Sequence, residues 1–445
     1  MRLLDVHTLM LEEFLSEAQR PEYAILSHRW GEDEVSFKEW RKSLKTTGQG
    51  YEKIMRCCQF IKARPNWPQY VWIDTIAIDK RSSAELSEAG VAITTASIYA
   101  INSMYQWYAQ ATVCIAYLSD VAGPWPNNQA NFWERTLAVL PYSAWFTRGW
   151  TLQELLAPKR VLFCSAEWLF LGWKAQAPRG SRLDELIMGD GRPCITGSLN
   201  EITGIDSYVL QHPEYHQDRS IAQRMSWASR RRTTRPEDLA YSLLGLFSIN
   251  MPLLYGEGAS KAFMRLQMEI IRKSTDESIF AWEKRPYLSW NGVLSPSPAA
   301  FIDAGNVESL CYGDAHQDAE GLQMSGLLTD DRCLNGRSTY MMTHKGLEFR
   351  VPAWLIQDGR YRIYVVWLAC ARRSSEVVVS TRIMHIRPEA GQCYVTLLAD
   401  SKDDVNDRVR KTRRYEPVGS LYNQFPTETW HDVGEKWFEV IQDGL

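Results

Sequence analysis

Three short stretches crowd together side chains able to bind or transform a small polar molecule. The first, SHRWGEDE (27–34), carries His28, Arg29 and Trp30 with acids behind them. An arginine fork matches phosphate bidentately. Arg29 therefore reads either as a phosphate contact or as the ion-pair partner of Glu32, Asp33 or Glu34, and the same pairing is open to His28. The second, DTIAIDK (74–80), offers Asp74 and Asp79. A carboxylate there either binds ribose hydroxyls or caps the helix that follows. The third, RGWTLQEL (148–155), contains Thr151-x-x-Glu154, which fits a helix capping box. Trp30 and Trp150 either stack on a base or ring or fill the core.

Other patterns are weaker. YGEG (255–258) reads as a phosphate cradle at a helix start or as a plain turn. Arg230, Arg231, Arg232 and Arg235 read as a solvated basic face pairing with Glu237 and Asp238, or as an anion site. There is no G-x-G-x-x-G and no Walker A sequence, which argues against a Rossmann dehydrogenase and a P-loop ATPase. The eight histidines and nine cysteines include no HExxH and no CxxC, so no metal site is expected.

The elements that must hold the three stretches alternate. Residues 23–27 (YAILS), 70–74 (YVWID), 112–118 (TVCIAYL) and 160–164 (RVLFC) read as short buried strands. Helical patterns such as 51–63, with Ile54, Cys57, Cys58 and Ile61 in register, lie between them. Strands alternating with helices make βαβ units and a parallel sheet. Such sheets bind ligands beyond the carboxyl ends of their strands, and the three stretches read as sitting at or just after strand ends. From about 205 to 282 the pattern turns helical, with candidate helices at 220–229, 236–247 and 260–272, the last capped by Ser260. Beyond Pro286, short β-branched and aromatic runs at 346–351, 361–371, 375–381 and 392–398 read as antiparallel strands. The expected architecture is a flavodoxin-like α/β domain at 1–205, a helical region at 206–285 and a β-rich domain at 286–445.

Composition narrows the setting. A net charge of −3 supplies no global basic field for nucleic acid. The scattered, odd cysteine count points to reduced thiols. Asp5, Glu12 and Glu13 interrupt the apolar core a signal peptide would need. No window reaches the roughly 18 apolar residues of a membrane span. A cytoplasmic protein is expected.

The blocks YAILSHRWGEDEVSF, YVWIDTIAIDK followed by SSAELSEA and INSMYQWY, and RGWTLQELLAPKRVLFC resemble the three sequence blocks of the fungal heterokaryon-incompatibility (HET) domain, in the same order. The stretch from SWASRRR to LQMEII is similar to the helical segment that often follows it. In the family SSAELSEA runs directly into INSMYQWY, whereas GVAITTASIYA (90–100) intervenes here. Without those eleven residues, Leu86, Ile101, Met104 and Tyr108 would share one helical face. Gly90 and the Thr94-Thr95 pair are poor helix formers, so the insert reads as a bulged loop or as three added helical turns.

A more distant resemblance links YAILSHRWGED and WTLQEL to the opening strand and the glutamate helix of TIR domains. It implies a TIR-like domain. In NAD-cleaving relatives that glutamate is catalytic, and it falls on Glu154. Breaking the nicotinamide–ribose bond develops oxocarbenium character, which a carboxylate stabilises. The implied enzyme is an NAD glycohydrolase with Glu154 as the catalytic carboxylate and Arg29, Asp74 and Trp30 binding NAD. NAD is there the substrate, and no cofactor is required. The alternative implied by the same resemblance is a non-catalytic module that acts by assembling with itself. The biological role implied is regulated cell death on fungal non-self recognition, an innate-immunity-like response, with a homo-oligomer and an unknown incompatibility partner.

Overall fold

A computed structural model describes residues 1–78, 95–123, 132–174, 194–282, 294–309, 340–343, 346–358, 361–373, 379–387, 392–397 and 430–440. The described residues fall into two compact units. One comprises Met1–His216 with Arg231–Gly258, the other Gln217–Arg230 with Ala259–Leu445. The texture of the sequence changes at about 205 and 285, whereas the compact units divide the chain elsewhere.

The first unit is an α/β domain. Its sheet holds β1 (Arg2–Asp5), β2 (Leu11–Glu13), β3 (Tyr23–His28), β4 (Tyr70–Trp72), β5 (Val113–Tyr117), β6 (Val161–Cys164) and β7 (Phe170–Lys174), ordered β2-β1-β4-β3-β5-β6-β7. The four expected strands form its centre and are parallel, with β3 paired to β4 on one side and to β5 on the other. The central order β4-β3-β5-β6 is that of a flavodoxin-like sheet. Every residue of β3 is buried, as a parallel strand covered on both faces requires.

The edges depart from the expected parallel sheet. β1 and β2 pair antiparallel with each other, β1 is antiparallel to β4, and β7 is antiparallel to β6. Short strands such as LEE carry no alternation by which a sequence pattern would reveal them. Their pairing is decided by the neighbour they dock on.

The helix Gln49–Lys62 buries Ile54, Cys57, Cys58, Phe60 and Ile61, the face read from the sequence. Gly50 sits where its start meets the loop after β3. An added Cβ would lie 2.1 Å from the Asp33 carbonyl oxygen, and the Gly50 amide donates to that oxygen at 3.1 Å. Ser36 caps the helix Phe37–Arg41, with Glu39 completing a capping box. Both contacts pin the loop carrying Arg29 and Trp30 to rigid elements.

The helix Thr95–Gln110 is continuous, so the end of the intervening segment continues the turns that carry Met104 and Tyr108. Residues 90–94 and Leu86 lie outside the described residues, as does Asp79. The 236–247 pattern gives only a short helix, Asp238–Tyr241, followed by turns.

In the second unit, Ser220 caps the helix Ile221–Ser226 through a capping box with Gln223. The helix Ala259–Lys273 starts one residue before Ser260, which is therefore helical rather than a cap. The β-rich region is an antiparallel sheet centred on β10 (Gly346–Asp358), β11 (Tyr361–Arg373), β12 (Val379–Arg387), β13 (Gln392–Leu397) and β14 (Trp430–Val440), with β8 (Val307–Ser309) and β9 (Tyr340–Thr343) attached. Of the expected strand at 375–381, residues 379–381 open β12, and 375–378 lie outside the described residues.

Candidate functional site

Two loops leave the carboxyl ends of β3 and β4, and the helix Thr151–Leu156 arrives beside them. β4 and β5 lie on opposite sides of β3, so the chain switches direction across the sheet there. This is the crevice in which open α/β sheets bind ligands.

All six residues of Thr151–Leu156 are buried, Glu154 included at 7% exposure. The capping-box reading of Glu154 is overturned. The cap position is Trp150 and makes no side-chain cap bond, while the Thr151 hydroxyl donates to the Trp145 carbonyl at 2.5 Å. Glu154 instead turns into the sheet. Its Oε2 accepts from the Ser27 hydroxyl at 2.5 Å, across 127 residues of sequence. The Ser27 oxygen accepts from Trp145 Nε1 at 2.8 Å. Trp145 is itself fixed edge-on against Phe146 and Phe163, at 5.0 and 5.6 Å between ring centroids. Tyr108, 2% exposed, hydrogen-bonds the same carboxyl.

Burial pushes the Glu154 carboxyl up to about 7, and the negative charge of Asp74 adds to this. The Ser27 and Tyr108 hydrogen bonds and the Arg148 charge oppose it. A carboxyl poised near neutrality can hold a developing positive charge or exchange a proton.

Asp74 opens the short helix Asp74–Ala77. Its Oδ2 accepts from Trp30 Nε1 at 2.7 Å, and its Oδ1 lies 3.8 Å from His28 Nε2. Glu34 Oε2 lies 3.8 Å from the same histidine nitrogen, and Lys53 Nζ donates to Glu34 Oε1 at 2.5 Å. Asp74 thus reaches across to the loop after β3, and the N-cap position of its helix belongs to Ile73.

The core reading of Trp30 is overturned, since the side chain is 43% exposed and held at its nitrogen. Trp150 is half-buried and donates to Asp238 Oδ2 at 3.1 Å. Arg29 is exposed on the loop after β3. The ion pairs expected for it are not formed among the described residues: Asp33 pairs with Lys45 and Glu34 with Lys53. The structure therefore joins Asp74 to Trp30, and Glu154 to Ser27, with Asp74 near enough to bias Glu154 electrostatically.

The solvated-face reading of the arginine cluster fails for Arg231, which is 6% exposed. Its Nη1 donates to the Arg148 carbonyl at 2.8 Å and to Thr151 Oγ1 at 2.9 Å, bracing the start of the Glu154 helix. Burial lowers its guanidinium to about 9, against the pull of Glu154. Gly256 and Gly258, both at positive φ, direct their amides onto Glu237 Oε1 at 2.9 and 3.0 Å. The YGEG turn is filled by this carboxylate of the chain itself. At the other end of the Glu154 helix the buried Lys174 Nζ donates to the carbonyls of Leu155 at 2.6 Å and Pro158 at 2.8 Å. Burial draws this ammonium down to about 7.

The sequence offers no site reading for Ser27, Tyr108, Trp145 and Lys174, and for Arg231 only that of an anion site. Ser27 carried a signal, as the last small polar residue of a buried strand. Tyr108 and Lys174 lie far from the glutamate in sequence and come to it only by packing, and Trp145, though near in sequence, reaches it only through Ser27. Among the described residues no group of three or more His, Cys, Asp and Glu side chains could hold a metal, and no helix is long and apolar enough to cross a membrane.

Residues 23–154 match the family model of the heterokaryon incompatibility protein (HET), and residues 261–322 match a domain of unknown function (DUF8212). The vegetative incompatibility protein HET-E-1 of Podospora anserina is 38% identical over 275 residues, covering 61% of this chain and 18% of that protein. The chain thus spans less than a fifth of the length of this relative. No solved structure matches. The matched HET region begins with β3 and ends on Glu154, so it takes in the central strands β3, β4 and β5.

Proposed function

We propose that the HET domain of this chain serves fungal heterokaryon incompatibility, setting off regulated cell death on non-self recognition through assembly of a TIR-like domain. The similarity to HET-E-1 supports this role, and the HET match covers the part of the chain that holds the candidate site. The activating partner is a second incompatibility protein. Expression of the full chain in a fungal host is expected to arrest growth. Normal growth with the folded protein present at high level contradicts the role.

One observation favours an enzymatic execution of that role. A glutamate poised near neutral pKa faces the carboxyl end of the central strand, at the switch point of an α/β sheet. This suits cleavage of NAD as a substrate. The ribose C1′–nitrogen bond breaks, its electron pair stays on the departing neutral nicotinamide, and water adds to C1′ with release of a proton. Glu154 in its ionised form would hold the oxocarbenium-like ribose. The exposed Trp30 ring, fixed by Asp74, offers a stacking face, and Arg29 lies on the same loop for a phosphate. Concentrated full-length protein incubated with NAD is expected to release nicotinamide, and folded Glu154→Gln is not. Equal release from both rejects Glu154. Growth arrest without any release leaves assembly alone as the mode of action.

A further inference from the structure

We propose that Ser27 and Trp145 are positioning residues for Glu154: the indole N–H of Trp145 sets the direction of the Ser27 hydroxyl, which in turn holds the Glu154 carboxylate in its ionised form. The inference rests on the reading of Glu154 as the group acting at the ribose, but its geometry stands by itself.

The polarity of the chain follows from the donors. An indole nitrogen donates and never accepts. Trp145 Nε1 lies 2.8 Å from Ser27 Oγ, so the serine oxygen must be the acceptor there. A serine has a single proton to give. Ser27 is 0% exposed, so no water takes it, and Glu154 Oε2 at 2.5 Å is its acceptor among the described residues. In the neutral acid Oε2 would either carry the proton and clash with the serine proton or be left a carbonyl oxygen, a weaker acceptor than a carboxylate. The relay therefore favours the ionised carboxylate. The charged and titratable groups that bear on Glu154 from the surrounding elements are Tyr108, Cys114, Asp74, Arg148 and Arg231. Burial and Asp74 favour the neutral acid; Arg148, Tyr108 and Ser27 oppose them. Removing the serine donor tips this balance towards the protonated form.

The relay also has the rigidity that positioning requires. Trp145 is 1% exposed and wedged against Phe146 and Phe163, and Ser27 is locked in the central strand between β4 and β5. Neither partner can swing to relieve the contact. The carboxyl is thereby held at one orientation at the end of the sheet.

The experiment is a carbon-13 NMR titration of the full chain labelled at the glutamate side-chain carboxyl, the Glu154 signal being the one lost in Glu154→Gln. Ser27→Ala is expected to raise the midpoint by about one pH unit, the scale of a lost hydrogen bond to a charged group. Trp145→Phe is expected to raise it in the same direction. Replacement of Trp145 by benzothienylalanine removes only the N–H and keeps the ring shape, and decides the matter where phenylalanine disturbs folding. The double change is expected to match Ser27→Ala alone, because Trp145 acts through the serine. A wild-type midpoint in folded Ser27→Ala or in the benzothienylalanine protein overturns the relay, and so do fully additive shifts. The pH profile of nicotinamide release is expected to move with the midpoints. Midpoints that shift as expected without any nicotinamide release retain the relay and reject the NAD reading.

Discussion

Glu154→Gln should make the protein more stable by about 3 kcal/mol at pH 8 but by less than about 1 kcal/mol at pH 5. The carboxyl is raised from 4.5 to about 7 in the fold, chiefly by burial. Below pH 4.5 both folded and unfolded forms carry the proton and nothing is lost. Between 4.5 and about 7 the unfolded chain ionises while the native state keeps its proton. The native state then binds more protons, and stability falls as pH rises. At about 1.4 kcal/mol per pH unit, the loss is about 3 kcal/mol once pH exceeds the folded value. Glutamine mimics the protonated acid: its carbonyl still accepts from Ser27, and its amide can donate to the Tyr108 oxygen. It escapes the loss altogether. Lys174 titrates in both proteins, so its effect cancels in the difference, whereas Arg231 loses the pull of the Glu154 charge in the variant, which narrows the gap at the alkaline end of the range. The assay is urea unfolding of both full chains from pH 5 to 8, followed by fluorescence, with the midpoint difference read against pH. The gap should open through the window between 4.5 and about 7. A gap that does not change with pH would show that Glu154 titrates as an exposed glutamate, and the account of the site would fall with it.

Two further changes probe the packing of the first unit. Lys174→Met strips the donor from the carbonyls of Leu155 and Pro158, and buried acceptors left without partners should lower stability by about 2–4 kcal/mol; an unchanged urea midpoint would mean that the ammonium is dispensable there. Gly245→Ala would set its Cβ 2.2 Å from Tyr105 Cβ and 2.6 Å from the ring, so melting should occur earlier by the equivalent of about 1–3 kcal/mol, and a wild-type melting temperature would place the glycine in open space.

Much of the scaffold was legible in the residues because the central strands are short, wholly buried and separated by helical patterns. YAILS, YVWID, TVCIAYL and RVLFC needed no knowledge of their neighbours to be read as strands of a parallel sheet. The edge strands β1, β2 and β7 were not legible, because LEE and FLGWK become strands only by docking on β1 and β6. The site divides the same way. The three chemical stretches fall at strand ends in the sequence, and chain order alone places SHRW and DTIA beyond β3 and β4. Local spacing gave the wrong reason for Glu154, since Thr-x-x-Glu matches a capping box whether or not the helix begins at the threonine. The helix does begin at Thr151, so the cap position falls one residue earlier, on Trp150, and the glutamate is free to face the sheet. The Ser27 partner lies 127 residues away, and the serine's own partner Trp145 lies 118 residues away. The sequence therefore determined that a glutamate, an aspartate, an arginine and a tryptophan would gather at one end of a parallel sheet. Only the tertiary structure decided which of them is buried, which is exposed and what each touches, because desolvation and hydrogen-bond direction are set by atoms that chain order does not bring together.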